Sequence, residues 1–129
     1  MKVTFYPGHE EVDDLHGPVG KLFKDLKKYP ILFRLVKDTL ADVKKPAVTN
    51  LEDFVKTQWV SRLSHVKEPL YEFRIPPRRK GGVVRLYFAY AQDKGSIKIY
   101  SGEIKIGDGE ADGAKIESAI KRYKEDFAK

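Results

Sequence analysis

The chain has no cysteine and only three histidines, His9, His16 and His65, which are scattered along it. Disulfides and thiolate metal sites are thereby excluded, and a zinc site lacks its usual ligands. Long apolar runs are also missing, with no window near the ~18 apolar residues that a membrane span needs. The opening MKVTFYPGHEEVDD lacks the apolar core of a secretory signal, so a cytoplasmic protein without membrane association is expected. The GxGxxG, P-loop, HExxH and GxSxG patterns do not occur, and Gly107 to Glu110 is too short and too poor in carboxylates for a calcium loop. No metal or cofactor is expected. No repeat, low-complexity segment or linker divides the 129 residues, which implies a single domain over 1–129.

Positive charge is what the chain has in excess. Lys and Arg number 25 against 19 Asp and Glu, a formal charge of +6 that favours polyanionic partners. The run Glu10, Glu11, Asp13 and Asp14 is set apart from this basic remainder by its sign.

The apolar pattern predicts a mixture of strands and helices. KVTFY at 2–6 reads as a short strand closed by Pro7-Gly8. From Pro18, Leu22, Phe23, Leu26 and Tyr29 recur at helical spacing. Leu32, Phe33, Leu35, Val36, Leu40 and Val43 then form a second stripe, with Pro30 either restarting the helix or kinking it. Thr49 and Glu52 fit a capping box opening a helix over about 50–62, with His65 just beyond it. A last helix from Asp112 carries Ile116, Ala119, Ile120, Tyr123 and Phe127 on one stripe.

The segment LYEFRIPPRRKGGVVRLYFAY, residues 70–90, reads as two strands joined by a proline- and arginine-rich loop. Strand side chains alternate between faces, so Tyr71, Phe73 and Ile75 share one face with Val84, Leu86, Phe88 and Tyr90. Aligning these core faces sets Ile75 opposite Val84 and Phe73 opposite Leu86. Arg74 then falls beside Arg85, and Glu72 beside Tyr87. Like charges directly opposed destabilise a sheet by on the order of 0.2–1 kcal/mol. Such a pair either serves an anion or splays into solvent with Glu72 compensating.

A third strand is expected from Ser96, after the Asp93-Lys94-Gly95 turn, with Ile99 opposite Phe88 and Tyr100 beside Tyr87. Ile104 and Ile106 have the opposite parity to Ile97 and Ile99, which a bulge at Ser101-Gly102 would restore. The outer face then collects Glu72, Arg74, Arg85, Tyr87, Lys98, Tyr100, Glu103 and Lys105. Arginine and lysine suit a phosphate backbone, and tyrosine suits stacked bases. The same set suits RNA cleavage by 2′-hydroxyl attack, where cations stabilise developing charge and a proton acceptor and donor are needed. Glu72, Tyr87, Tyr100 and His65 are the candidates for proton transfer, and spacing singles out none of them.

LYEFRI (70–75), GGVVRLYFAY (81–90), SGEIKI (101–106) and AIKRYKEDF (119–127) together resemble the RelE/HigB/ParE superfamily of bacterial toxins, especially its phage-derived HigB-like branch. The match covers roughly the last 60 residues well, and the first half agrees in its order of a strand and then helices. The resemblance implies an α+β, RelE-like fold: a mainly antiparallel sheet with N-terminal helices packed on one face, and a C-terminal helix. It also implies the toxin of a toxin–antitoxin system, a metal-free, ribosome-dependent mRNA endonuclease. Its partners would be the ribosome, mRNA and an antitoxin encoded adjacently, expected to be a helix-turn-helix protein. Family basic positions fall on Arg74, Arg85 and Lys105.

On this reading Arg74 and Arg85 clamp the scissile phosphate and Lys105 assists, with Glu72 and His65 as acid–base candidates. Tyr87 or Tyr100 stacks a base, Lys98 lies on the same face, and Arg78, Arg79 and Lys80 contact ribosomal RNA. The alternatives are a ParE-like DNA gyrase inhibitor and a non-catalytic RNA- or ribosome-binding module of the same fold.

Overall fold

A computed structural model describes residues 1–7, 19–46, 48, 59–76, 82–91, 95–106 and 113–127. Strand β1 spans Lys2–Phe5, and helices α1 and α2 span Gly20–Leu26 and Pro30–Val43. Strands β2 to β5 follow at Val60–Arg62, Leu70–Ile75, Val83–Ala91 and Ser96–Lys105, and helix α3 closes the order at Gly113–Phe127. The fold class is α+β, with a five-stranded mixed sheet in the order β1-β5-β4-β3-β2. The β2–β3, β3–β4 and β4–β5 pairings are antiparallel, whereas β1 runs parallel to β5.

Three helices are present among the described residues, and they occupy both faces of the sheet. On the first face α1 contributes Phe23 and Leu26, and α2 contributes Leu32, Val36, Leu40 and Val43. These pack against Val3, Phe5, Phe73, Ile75, Val84, Leu86, Phe88, Ile97 and Ile99. Phe73 stacks on Phe88 at 4.5 Å, and Phe5 meets Phe23 edge-on at 5.2 Å. Burying each such side chain contributes roughly 1.5–3 kcal/mol, so this face holds the larger share of the apolar stabilisation. Pro30 occupies the first turn of α2, where its missing N–H leaves no acceptor unserved, and α1 has already ended at Leu26. The segment is two helices and not one kinked helix.

On the second face, α3 lays Ile116 and Ala119 over Tyr87, Tyr100, Leu63 and Leu70, with Ile120 and Tyr123 alongside. An accessible outer face, which both RNA contact and simple solvation required, is therefore not found at Tyr87, Arg85 and Tyr100. Tyr87 is fully buried, Tyr100 is 2% exposed and Arg85 is 3% exposed.

Two local expectations also need correction. Val60–Arg62 is not the end of a helix but an edge strand, with Val60 opposite Phe73 and Arg62 opposite Tyr71. The remainder of that expected helix, 50–58, lies outside the described residues. The bulge comes one residue earlier than glycine suggests: Phe88 pairs with Ile99 and Tyr87 with Ser101, so Tyr100 is the extra residue. Ile104 packs against the first-face core as its parity requires, but Ile106 falls past the strand and is 52% exposed. No described helix is long and apolar enough to cross a membrane.

Candidate functional site

The β3–β4 register sets Arg74 opposite Arg85, Glu72 opposite Tyr87, Phe73 opposite Leu86 and Ile75 opposite Val84. Apolar alternation forces this alignment, because a slip of one residue would turn Phe73 and Leu86 out of the core. The two arginines thus meet as neighbours, and carboxylates resolve their repulsion. Glu72 Oε1 lies 3.5 Å from Arg74 Nε and 3.4 Å from Arg85 Nε. Glu103, opposite Arg85 on β5, accepts a 3.1 Å hydrogen bond from Arg85 Nη1.

Arg85, Glu72 and Glu103 form a buried ionic centre, and Arg74 is its open end, with a side chain 44% exposed. The contacts made by Glu72 Oε1 are ion pairs without hydrogen-bond alignment, and neither that atom nor Arg85 Nε is hydrogen-bonded. The centre therefore holds its charges by proximity on one side and by a directed bond on the other. Burying ions costs several kcal/mol each, a penalty that mutual attraction offsets only when every charge is matched.

Tyr87 stands beside this centre. Its hydroxyl lies near Glu103 without an aligned hydrogen bond. Burial, and then the Glu103 and Glu72 carboxylates, push its phenol well above the usual tyrosine range, with Arg85 opposing. A phenol so held stays protonated and takes no proton from a substrate at neutral pH.

Tyr100 packs in the same buried cluster as Tyr87, but its hydroxyl is turned to α3 and not to the ionic centre. Its hydroxyl donates to Asp126 Oδ2 at 2.6 Å, and Lys98 Nζ reaches the same oxygen at 2.6 Å. Burial first, then the hydrogen bond to Asp126 and its charge, push the Tyr100 phenol far up. Arg122 Nη1 donates to the Tyr100 carbonyl at 2.7 Å, which ties α3 to β5 at a second point.

The residues singled out from sequence therefore divide. Arg74, Arg85, Glu72 and Tyr87 come together. Lys105 ends β5 opposite Val83, half-buried. Lys98 and Tyr100 are engaged by α3, and neither Tyr100 nor the fully buried Tyr87 offers the accessible ring that the expected base stacking needs. His65 is exposed and lines a different cleft, of about 260 Å³, with Glu68, Ile116, Glu117 and Ile120 and with none of the arginines. Arg78, Arg79 and Lys80 lie outside the described residues. No group of three or more histidine, cysteine, aspartate or glutamate side chains that could hold a metal ion occurs among the described residues.

Sequence reasoning passed over Asp126 and Arg122, the side chains that fasten α3 across the sheet. A signal for the cover was present. Apart from Arg85, the run VVRLYFAY is apolar or aromatic on both faces, as in strands buried on both sides. Comparison with family models, curated proteins and solved structures finds no match.

Proposed function

We propose that this protein is a toxin of the RelE/HigB/ParE kind that cuts ribosome-bound mRNA. The observation that carries the reading is the cross-strand pairing of Arg74 with Arg85 around Glu72, at the positions where the family resemblance puts its basic residues. Helices α1 and α2 on one face of a mainly antiparallel sheet, with a helix after the last strand, also agree with a RelE-like fold. The proposal carries its partners with it: the ribosome, mRNA and an adjacently encoded antitoxin, in the cytoplasm.

In the proposed reaction the 2′-hydroxyl gives up its proton to a base and attacks the neighbouring phosphorus, the bond to the 5′-oxygen breaks with that oxygen taking up a proton, and a 2′,3′-cyclic phosphate forms. Charge grows on the phosphoryl oxygens, where a fixed guanidinium stabilises it. Arg74 is the arginine placed to reach a phosphate, because its side chain is open to solvent. Arg85 acts as a positioning residue, holding Glu72 so that Glu72 in turn orients Arg74. Lys105 adds positive charge at the end of β5.

One observation favours a second reading, a non-catalytic RNA- or ribosome-binding module. Glu72 is engaged by two guanidinium groups and His65 sits in another cleft, so neither proton-transfer candidate stands free beside Arg74. Induced expression with mapping of mRNA ends separates the readings. Growth arrest with cuts confined to translated messages supports the toxin, and arrest with intact mRNA supports the binding module. Inhibition of DNA supercoiling with intact mRNA would favour the gyrase-directed alternative.

A further inference from the structure

Strand β1 stops opposite Ile99, and beyond that point α1 and α3 flank the edge of β5. A groove of about 430 Å³ opens between these helices. Lys21 of α1 and Lys28 of the turn that follows it stand on one wall and Lys115 and Arg122 of α3 on the other, with the Ser101 and Ser118 side chains between them. Its two carboxylates are already matched: Asp25 lies 3.9 Å from Lys28, and Glu103 is held by Arg85. Lys24, Lys27 and Arg34 are exposed and extend the positive charge along the helical layer. Tyr29, 40% exposed, lines the groove, and Ile31 beyond it is 79% exposed.

We propose that this groove is the track for single-stranded RNA, with phosphates between the Lys21/Lys28 and Lys115/Arg122 walls and a base against Tyr29. The inference rests on the RNA-directed reading above and moves the contact surface from the covered Tyr87–Tyr100 face to the edge of β5. Two independent features meet here: a concave channel and cations on both sides of it. A positive channel flanked by an aromatic ring is how proteins hold single strands without reading sequence. Glu103 lies in the groove and in the ionic centre alike, so RNA seated here would run along the strand whose Glu103 holds Arg85.

The test is fluorescence anisotropy with a labelled oligouridylate of about 12 nucleotides, followed from 50 to 200 mM salt. The groove variant is Lys21→Ala/Lys28→Ala/Lys115→Ala, which spares Arg122 because Arg122 also anchors β5. The control, Lys37→Ala/Lys44→Ala/Lys45→Ala, removes equal charge away from the groove. The groove variant is expected to bind about tenfold or more weakly and to lose about 2 from its log–log salt slope, at about 0.7 per phosphate contact. The control is expected to change by less than about threefold. Equal weakening of both variants, or no change in the groove variant, overturns the assignment of the groove. Displacement of the RNA by oligoglutamate at matched charge assigns the groove to an acidic peptide and overturns it too. Failure of the unmodified protein to bind the oligonucleotide at 50 mM salt instead overturns the RNA-directed reading itself.

Discussion

Arg85 and Glu103 face each other across β4 and β5, Nη1 to Oε1 at 3.1 Å, with both side chains under 5% exposed. The pair is inseparable from Glu72, whose Oε1 lies on the other side of the same guanidinium. Arg85→Met would leave Glu72 and Glu103 buried without their common partner. Urea denaturation should show a loss of about 3–5 kcal/mol, the range for breaking a buried ion pair from one side. The triple replacement Arg85→Met/Glu72→Gln/Glu103→Gln should recover part of that loss, since no bare charge remains.

Gly102 sits in β5 opposite Leu86, where α1 presses on the sheet. A Cβ there would stand 2.6 Å from Leu22 Cδ2 and 2.8 Å from the Arg85 carbonyl oxygen. The leucine tip can turn aside, but the carbonyl belongs to the β4–β5 ladder and cannot. Gly102→Ala is expected to destabilise by about 1–3 kcal/mol, the usual range for overpacking, read as a lower denaturation midpoint at unchanged slope.

Why the register was legible while its covering was not follows from these residues. Alternation of Phe73, Ile75, Val84, Leu86 and Phe88 fixes which residues meet, because any slip exposes all of them. The same alternation assigned Tyr87 and Tyr100 to an outward face, since tyrosine is compatible with either side. The apolar stripe of α3 had to be buried somewhere, however, and α1 and α2 already occupy the first face. Val60–Arg62 was hidden for a different reason. Three residues carry no period, and pairing with β3 decides their conformation. The bulge was misplaced because glycine marks where a chain can bend, whereas burial of Tyr100 against Tyr123 accompanies the extra residue at 100.

The two buried phenols give a pH dependence with a defined sign. Tyr87 and Tyr100 have folded-state pKa values raised above the unfolded value of about 10, so the native state keeps protons that the unfolded state releases. Their contribution to stability is fully present below pH ~10 and is lost as pH rises towards the folded-state values, at up to about 1.4 kcal/mol per pH unit for each. Tyr87→Phe and Tyr100→Phe should each flatten the fall in stability above pH ~10. Phenolate absorbance should show two of the seven tyrosines ionising only as the protein unfolds.

Asp126 fastens the C-terminal part of α3 by accepting from both Tyr100 and Lys98. Asp126→Ala should cost about 1.5–3 kcal/mol, the range for hydrogen bonds to a charged group. Hydrogen exchange should speed up in the last turns of α3 and in the 98–100 segment, leaving α1 and α2 protected. Uniform deprotection would show instead that this contact supports the whole fold.

The most direct test of the proposed activity uses Arg74, whose side chain is 44% exposed, with the folding of the variant checked because Glu72 loses one of its two guanidinium partners. Purified protein is added to a reconstituted translation reaction, and the 5′ ends of a reporter mRNA are mapped. The account predicts cuts inside the reading frame that require translating ribosomes, and a loss of about 100-fold or more with Arg74→Ala, the scale for removing one preorganised charge-stabilising donor. An intact message in the presence of folded, unmodified protein would contradict it, as would cleavage by Arg74→Ala at the unmodified rate.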